Sequence, residues 1–159
     1  MKTKTSLIAL LLILVALPFI AWAAGTCTQT YQILPTSNVS VLSFSCQTEA
    51  TGTEFPATAT STDITEAIKG LYITEVRTNP GTTAPTDNYD ITITDSDGID
   101  LMGGTLADRD TSTSEAAAPA IASGVYLSRP VDGTLTLNVT GNTTTAASTA
   151  VKVFFSRQK

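Results

Sequence analysis

The sequence predicts an all-β fold: an antiparallel β-sandwich of jelly-roll kind, one domain over residues 24–159 behind an N-terminal signal peptide over residues 1–23. Three observations carry that prediction. Threonine makes up roughly a fifth of the chain past the leader, with many Ser, Val and Ile, whereas Lys, Leu and Glu are sparse there. Branching at Cβ suits a pleated strand better than a helix. Apolar and polar residues alternate over several segments, the period of strands with one face toward a core and one toward water. Clusters of Gly, Pro, Asn and Asp divide those segments, as in about seven to nine short strands joined by turns.

The chain opens MKTKTSLIALLLILVALPFIAWAAG, where Lys2 and Lys4 precede an apolar run over residues 7–20 and the small-residue pattern Ala21, Trp22, Ala23. This is the layout of a secretory signal peptide cleaved after Ala23 or Ala24. The run falls short of the roughly 20 apolar residues of a membrane span, contains Pro18 and lacks a basic stop-transfer flank. No stable membrane insertion is therefore expected after cleavage, and the destination is the periplasm, the cell surface or the extracellular medium. Cys27 and Cys46 are the only cysteines, and in an oxidising compartment they are expected to pair. Acylation of Cys27 is disfavoured because Ala24, Gly25 and Thr26 do not form a lipobox, and it would strand Cys46 as a free thiol.

Past the leader, "TCTQTYQIL" (26–34) and "VSVLSFSCQ" (39–47) alternate on either side of the turn formers 35–38, which predicts a hairpin clamped by the disulfide. "EFPATAT" (54–60) reads as an edge strand, the place where Pro56 is tolerated. "DITEAIKG" (63–70) carries Ile64, Ala67, Ile68 and Leu71 at helical spacing behind Asp63 as N-cap, with Glu66 three positions on, and so predicts a single helical turn in competition with strand. "LYITEVRT" (71–78), "NYDITIT" (88–94), "IDLM" (99–102), "GTLTLNVT" (133–140) and "AVKVFF" (150–155) complete the strands. Residues 103–123 have no regular period and read as one long loop, the first place to look for a contact surface.

Charge and composition exclude several functions. Loss of Lys2 and Lys4 leaves 7 basic against 14 acidic residues, a net charge of −7, so phosphate backbones and anionic lipid are poor partners and no nucleic acid is expected. The chain contains no histidine, which removes Ser-His-Asp and Cys-His catalysis and histidine-ligated zinc. A pair of carboxylates could still hydrolyse a glycoside, but aromatic residues are only 6% and the single Trp lies in the leader. The expectation is a protein that is not an enzyme, with no catalytic residues.

One stretch looks like a metal loop: "TDSDGID" (94–100), with Asp95, Asp97 and Asp100 around Gly98. Counted from Asp95, an EF-hand loop needs acids at positions three and five, Gly at six and Glu at twelve. The chain supplies Asp97, Ile99, Asp100 and Leu106 there, so the EF-hand fails. An irregular calcium site could join these aspartates with Asp87, Asp90, Asp108 or Asp110. The stronger expectation is a type I turn closed by a left-handed Gly98, with Asp97 bonding nearby backbone, and no cofactor. The sequons at Asn38, Asn138 and Asn142 carry little weight in so Ser/Thr-rich a chain.

Residues 78–115 ("TNPGTTAPTDNYDITITDSDGIDLMGGTLADRDTSTSE") with 129–142 ("RPVDGTLTLNVTGN") resemble small uncharacterised β-rich proteins of phage and prophage structural gene clusters, in which similar NPG, DNYD, DGxD and GTLTL segments recur. The resemblance implies a virion or surface structural component and supplies no catalytic residues. An export leader and a Cys27–Cys46 hairpin have no use in a component assembled in the cytoplasm, and direct the expectation to a surface location. The chain thus reads as an exported structural or surface-association protein that binds a protein partner or itself, with an edge strand such as 54–60 as the means of assembly. A calcium- or glycan-binding module is the alternative.

Overall fold

A computed structural model describes residues 25–157 apart from Thr36 and Ser123. The signal peptide predicted over 1–23 lies outside the described residues. Elements follow in the order β1 (Thr26–Ile33), β2 (Val39–Gln47), β3 (Thr58–Ala59), α1 (Thr62–Ile68), β4 (Tyr72–Pro80), β5 (Asp90–Thr94), β6 (Glu115–Ala117), β7 (Ala120–Ala122), β8 (Val125–Tyr126), β9 (Arg129–Pro130), β10 (Thr136–Thr140) and β11 (Ser148–Ser156). The fold is an all-β sandwich of antiparallel sheets.

The larger sheet runs β1-β2-β11-β4, with β6 and β9 sharing the outer side of β4, and the smaller runs β3-β10-β5. Alternation decides which residues meet between them. Leu42, Phe44 and Cys46 of β2 and Val151, Val153 and Phe155 of β11 face Ile91 and Ile93 of β5 and Leu137 and Val139 of β10, all buried. In β4 the alternation breaks, because Phe154 pairs with Glu75 while Phe155 pairs with Ile73. Thr74 is the extra residue of a bulge, held by its hydroxyl donating to the Phe154 carbonyl (3.1 Å), and the slip brings Ile73, Val76 and Thr78 onto one face.

Four features differ from the sequence expectation. The helix begins earlier than Asp63: the Ser61 hydroxyl accepts from the Ile64 N–H and is the N-cap, leaving Asp63 in the first turn where an acid suits the dipole. The 54–60 strand shrinks to Thr58–Ala59. "IDLM" is no strand, since only Asp100 bridges back to Thr94 before the chain turns through Leu101, Met102 and Leu106, which plug the core. Residues 103–123 are not one loop, because β6 joins the β4 edge and β7 begins a hairpin with β8.

Candidate functional site

The acidic stretch is built as a turn. The Gly98 N–H donates to the Asp95 carbonyl (3.1 Å), the Asp95 N–H to the Ile99 carbonyl (3.1 Å), and Gly98 sits at φ 81°, where a Cβ would be strained. Asp95, rather than Asp97, stabilises it: Asp95 Oδ1 accepts from the Asp97 N–H (3.0 Å) and the Ile99 N–H (2.9 Å). Asp97 is exposed, and its carboxylate makes no hydrogen bond among the described residues. Asp100 serves the next turn, with Oδ1 accepting from Ile93 (3.3 Å) and Met102 (3.0 Å) and Oδ2 from Gly104 (2.8 Å). The carboxylates of Asp95 and Asp100 are therefore engaged with backbone N–H groups of different turns.

Asp90 and Asp110 are engaged in the same way. Asp90 Oδ1 accepts from the Asp108 N–H (2.9 Å). The Ser112 backbone N–H, backed by the Ser112 hydroxyl and the Thr113 N–H, holds the Asp110 carboxyl down at about 2. Asp87 lies exposed. No three His, Cys, Asp or Glu residues among the described ones are grouped to hold a metal ion. Of the sequons, Asn142 has its amide committed, donating to the Thr53 and Thr144 carbonyls and accepting from the Thr86 and Thr144 N–H groups.

Cys27 and Cys46 face each other across the β1–β2 register and form a disulfide. The bond is compatible with an exported or oxidising environment. No helix among the described residues is long and apolar enough to cross a membrane. β1 itself is unusual among the sheet edges. The outer side of β5 is covered, because Ile91, Ile93 and Tyr89 bond Leu106, Leu101 and Arg109. The short β3 is met by the Gln29 side chain, whose amide donates to the Ala59 carbonyl (2.7 Å) and accepts from the Ser61 N–H (3.3 Å).

β1 runs eight residues with no charge and no proline. The Leu34 N–H to Val39 carbonyl bond (3.0 Å) sets the antiparallel alternation. Thr26, Thr28, Thr30 and Gln32 thus exchange backbone bonds with β2, and Cys27, Gln29, Tyr31 and Ile33 direct their N–H and C=O groups outward. Among the described residues no strand receives them.

At the hairpin end of β1 the core itself is open. Ile33 lies opposite Ser40, which lies opposite Phe155, and all three share the inner face of the large sheet. Phe155 is fully buried, but Ile33 is 70% exposed. On the β4 side this end is closed by Ile68, Leu71 and Val131, where Gly70 and Leu71 are bonded to Val131. On the β1 side it is not, and a hollow of about 440 Å³ remains, lined by Tyr31, Ile33, Ser40, Glu66, Leu71 and Arg157. Ser40 is 95% buried there (5% exposed), yet its Oγ has no hydrogen-bond partner among the described residues. A buried hydroxyl left unpaired costs stability unless something completes it.

Neither Ile33 nor Ser40 stands out in the sequence. Parity along the strands places them on the inner face, but nothing local signals that the opposing layer stops short of them. No family model, curated protein or solved structure matches the chain.

Proposed function

We propose that this is an exported, non-catalytic association protein whose β1 edge and adjoining hollow accept an extended segment of a protein partner by strand addition. The observation that carries the reading is the continuity of two unfinished features. An uncharged eight-residue edge offers backbone donors and acceptors, and beside it lies an opening into the core where an isoleucine is exposed and a serine hydroxyl unpaired. An added strand would take up the first through main-chain bonds and cover the second with its side chains, which is how strand addition combines affinity with specificity. A structural role at a cell or virion surface is the setting that the leader and the resemblance of 78–115 and 129–142 suggest.

The test is Ile33→Pro in the mature protein. Proline removes an outward N–H that β2 does not use and takes the isoleucine from the hollow, so the domain should keep its melting temperature while losing association. Light scattering across a concentration series and pull-down from native envelope or virion preparations, each run on parent and variant, provide the readout. Association that survives Ile33→Pro unchanged would refute the β1 edge as the site.

A further inference from the structure

The hollow beside β1 has a chemical counterpart on the same chain. The β7–β8 hairpin, joined to β6 on one side and β9 on the other, exposes Ile121, Val125, Leu127 and, at 64%, Tyr126. Large apolar side chains grouped on one exposed hairpin mark an interaction surface more often than an idle one. β7 is tied back to the body through the Ala120 N–H and the Met102 carbonyl (3.1 Å), which leaves β8 as the outer strand.

Charge indicates what meets what. Residues 25–48, which contain β1 and β2, hold no charged side chain, and neither do residues 116–128, which contain the hairpin; the hollow beside β1 adds one charge of each sign, Glu66 and Arg157. Elsewhere the chain past its leader carries an acidic excess of seven, so two copies repel each other over most of their surface. These two stretches are where copies can touch without opposing like charges, since the hairpin brings no charge of its own to Glu66 and Arg157 at the hollow. Sheet order also sets them apart: β1 is one lateral edge of the large sheet, and the hairpin hangs from the strands beyond β4 at the other, with β2 and β11 between. A contact between opposite edges of successive copies is heterologous and propagates into a filament or closes into a ring.

We infer that the segment accepted at β1 is the β7–β8 hairpin of a second copy, so that the protein assembles head to tail. β8, two residues long, adds to the outward backbone at the Ile33 end of β1, and Tyr126 covers Ile33 and the hollow. This rests on the strand-addition reading above and fixes its partner.

The experiment uses Ile33→Lys and Tyr126→Lys, which place a charge in the groove and on the hairpin respectively. Both positions are exposed, so each variant should melt within about 3 °C of the parent; if either does not, Ile33→Ser or Tyr126→Ser replaces it. In sedimentation velocity the parent should form species that grow with concentration beyond a dimer. Each variant alone should stay monomeric, its association weakened at least about tenfold. An equimolar mixture should form a one-to-one dimer and nothing larger, because together the variants retain one intact groove and one intact hairpin. A mixture that stays monomeric overturns the inference, as does a Tyr126→Lys protein that assembles like the parent. If the parent is monomeric while Ile33→Pro still abolishes capture of a different chain, strand addition stands and the second copy falls. If association is lost in Ile33→Lys but kept in Tyr126→Lys, the occupant is another segment, such as β1 of a two-fold partner.

Discussion

Replacing Asp100 by alanine should be the most damaging change in the acidic stretch. One carboxylate accepts three backbone N–H groups, from Ile93 in β5 and from Met102 and Gly104 in the following turn, so it ties the chain that covers the β5 edge to the strand it covers. A hydrogen bond to a charged group contributes about 1.5–3 kcal/mol. The Ile93 bond is long at 3.3 Å and the Gly104 N–H lies near water, which brings the sum for Asp100→Ala to about 3 kcal/mol. Asp95→Ala, with two bonds in an exposed turn, should cost about 1–2 kcal/mol, and Asp97→Ala less than about 0.5 kcal/mol. Urea unfolding of the mature protein followed by far-ultraviolet circular dichroism is the assay, because the single tryptophan, Trp22, lies in the predicted leader. The series should be measured in EDTA and again in millimolar calcium. An Asp100→Ala cost below about 1 kcal/mol would refute the turn-tying role. A cost at Asp97 that equals the one at Asp100 and appears only with calcium would restore a metal loop.

Three further outcomes follow from neighbouring features. Gly98→Ala should cost about 1 kcal/mol from positive φ alone, since nothing lies within 4 Å of the new Cβ, whereas Gly103→Ala should cost about 3 kcal/mol or more because its Cβ would sit 2.1 Å from the Ala120 carbonyl oxygen; comparing their urea midpoints checks the order. Reduction of Cys27–Cys46, or Cys46→Ser, should remove about 3 kcal/mol, read as a lower melting temperature in reductant. Asp110 titrates at about 2 instead of its ordinary 3.8, so its contribution to stability is present above 3.8 and is lost as pH falls toward 2. The stability difference between parent and Asp110→Asn should therefore be constant above about pH 5 and close over that window.

The sheets were legible because their period is carried by side chains that the two layers bury. β2, β10 and β11 place Leu42 and Phe44, Leu137 and Val139, and Val151 and Val153 on one side by simple alternation, and the core accepts them in that order. Sequence reasoning failed where backbone bonds were taken by side chains. Residues 99–102 have the composition of a strand, but the Asp100 carboxylate captures the Met102 and Gly104 N–H groups and left-handed Gly103 and Gly104 turn the chain. It failed again at β6, which is placed by the β4 edge, and at β7 and β8, which pair only with each other, because two- or three-residue pairings carry no pattern of their own. The open groove was hidden for a third reason: it depends on the extent of the opposing layer, which no residue in β1 encodes.

Ionic strength separates this mode of assembly from one driven by charge. If copies join through residues 25–48 and 116–128, neither of which is charged, the acidic excess opposes association without contributing to the contact. Salt shortens the Debye length from about 30 Å at 0.01 M to about 10 Å at 0.1 M, which weakens that opposition and leaves apolar burial over Ile33 and Tyr126 untouched. The sedimentation-derived association constant should then rise several-fold from about 0.01 to 0.3 M NaCl. Calcium at equal ionic strength should have no greater effect than sodium. A constant that falls with salt would mean that opposite charges meet at the interface, as Lys152 against the acids of another copy, and would move the contact away from both uncharged stretches.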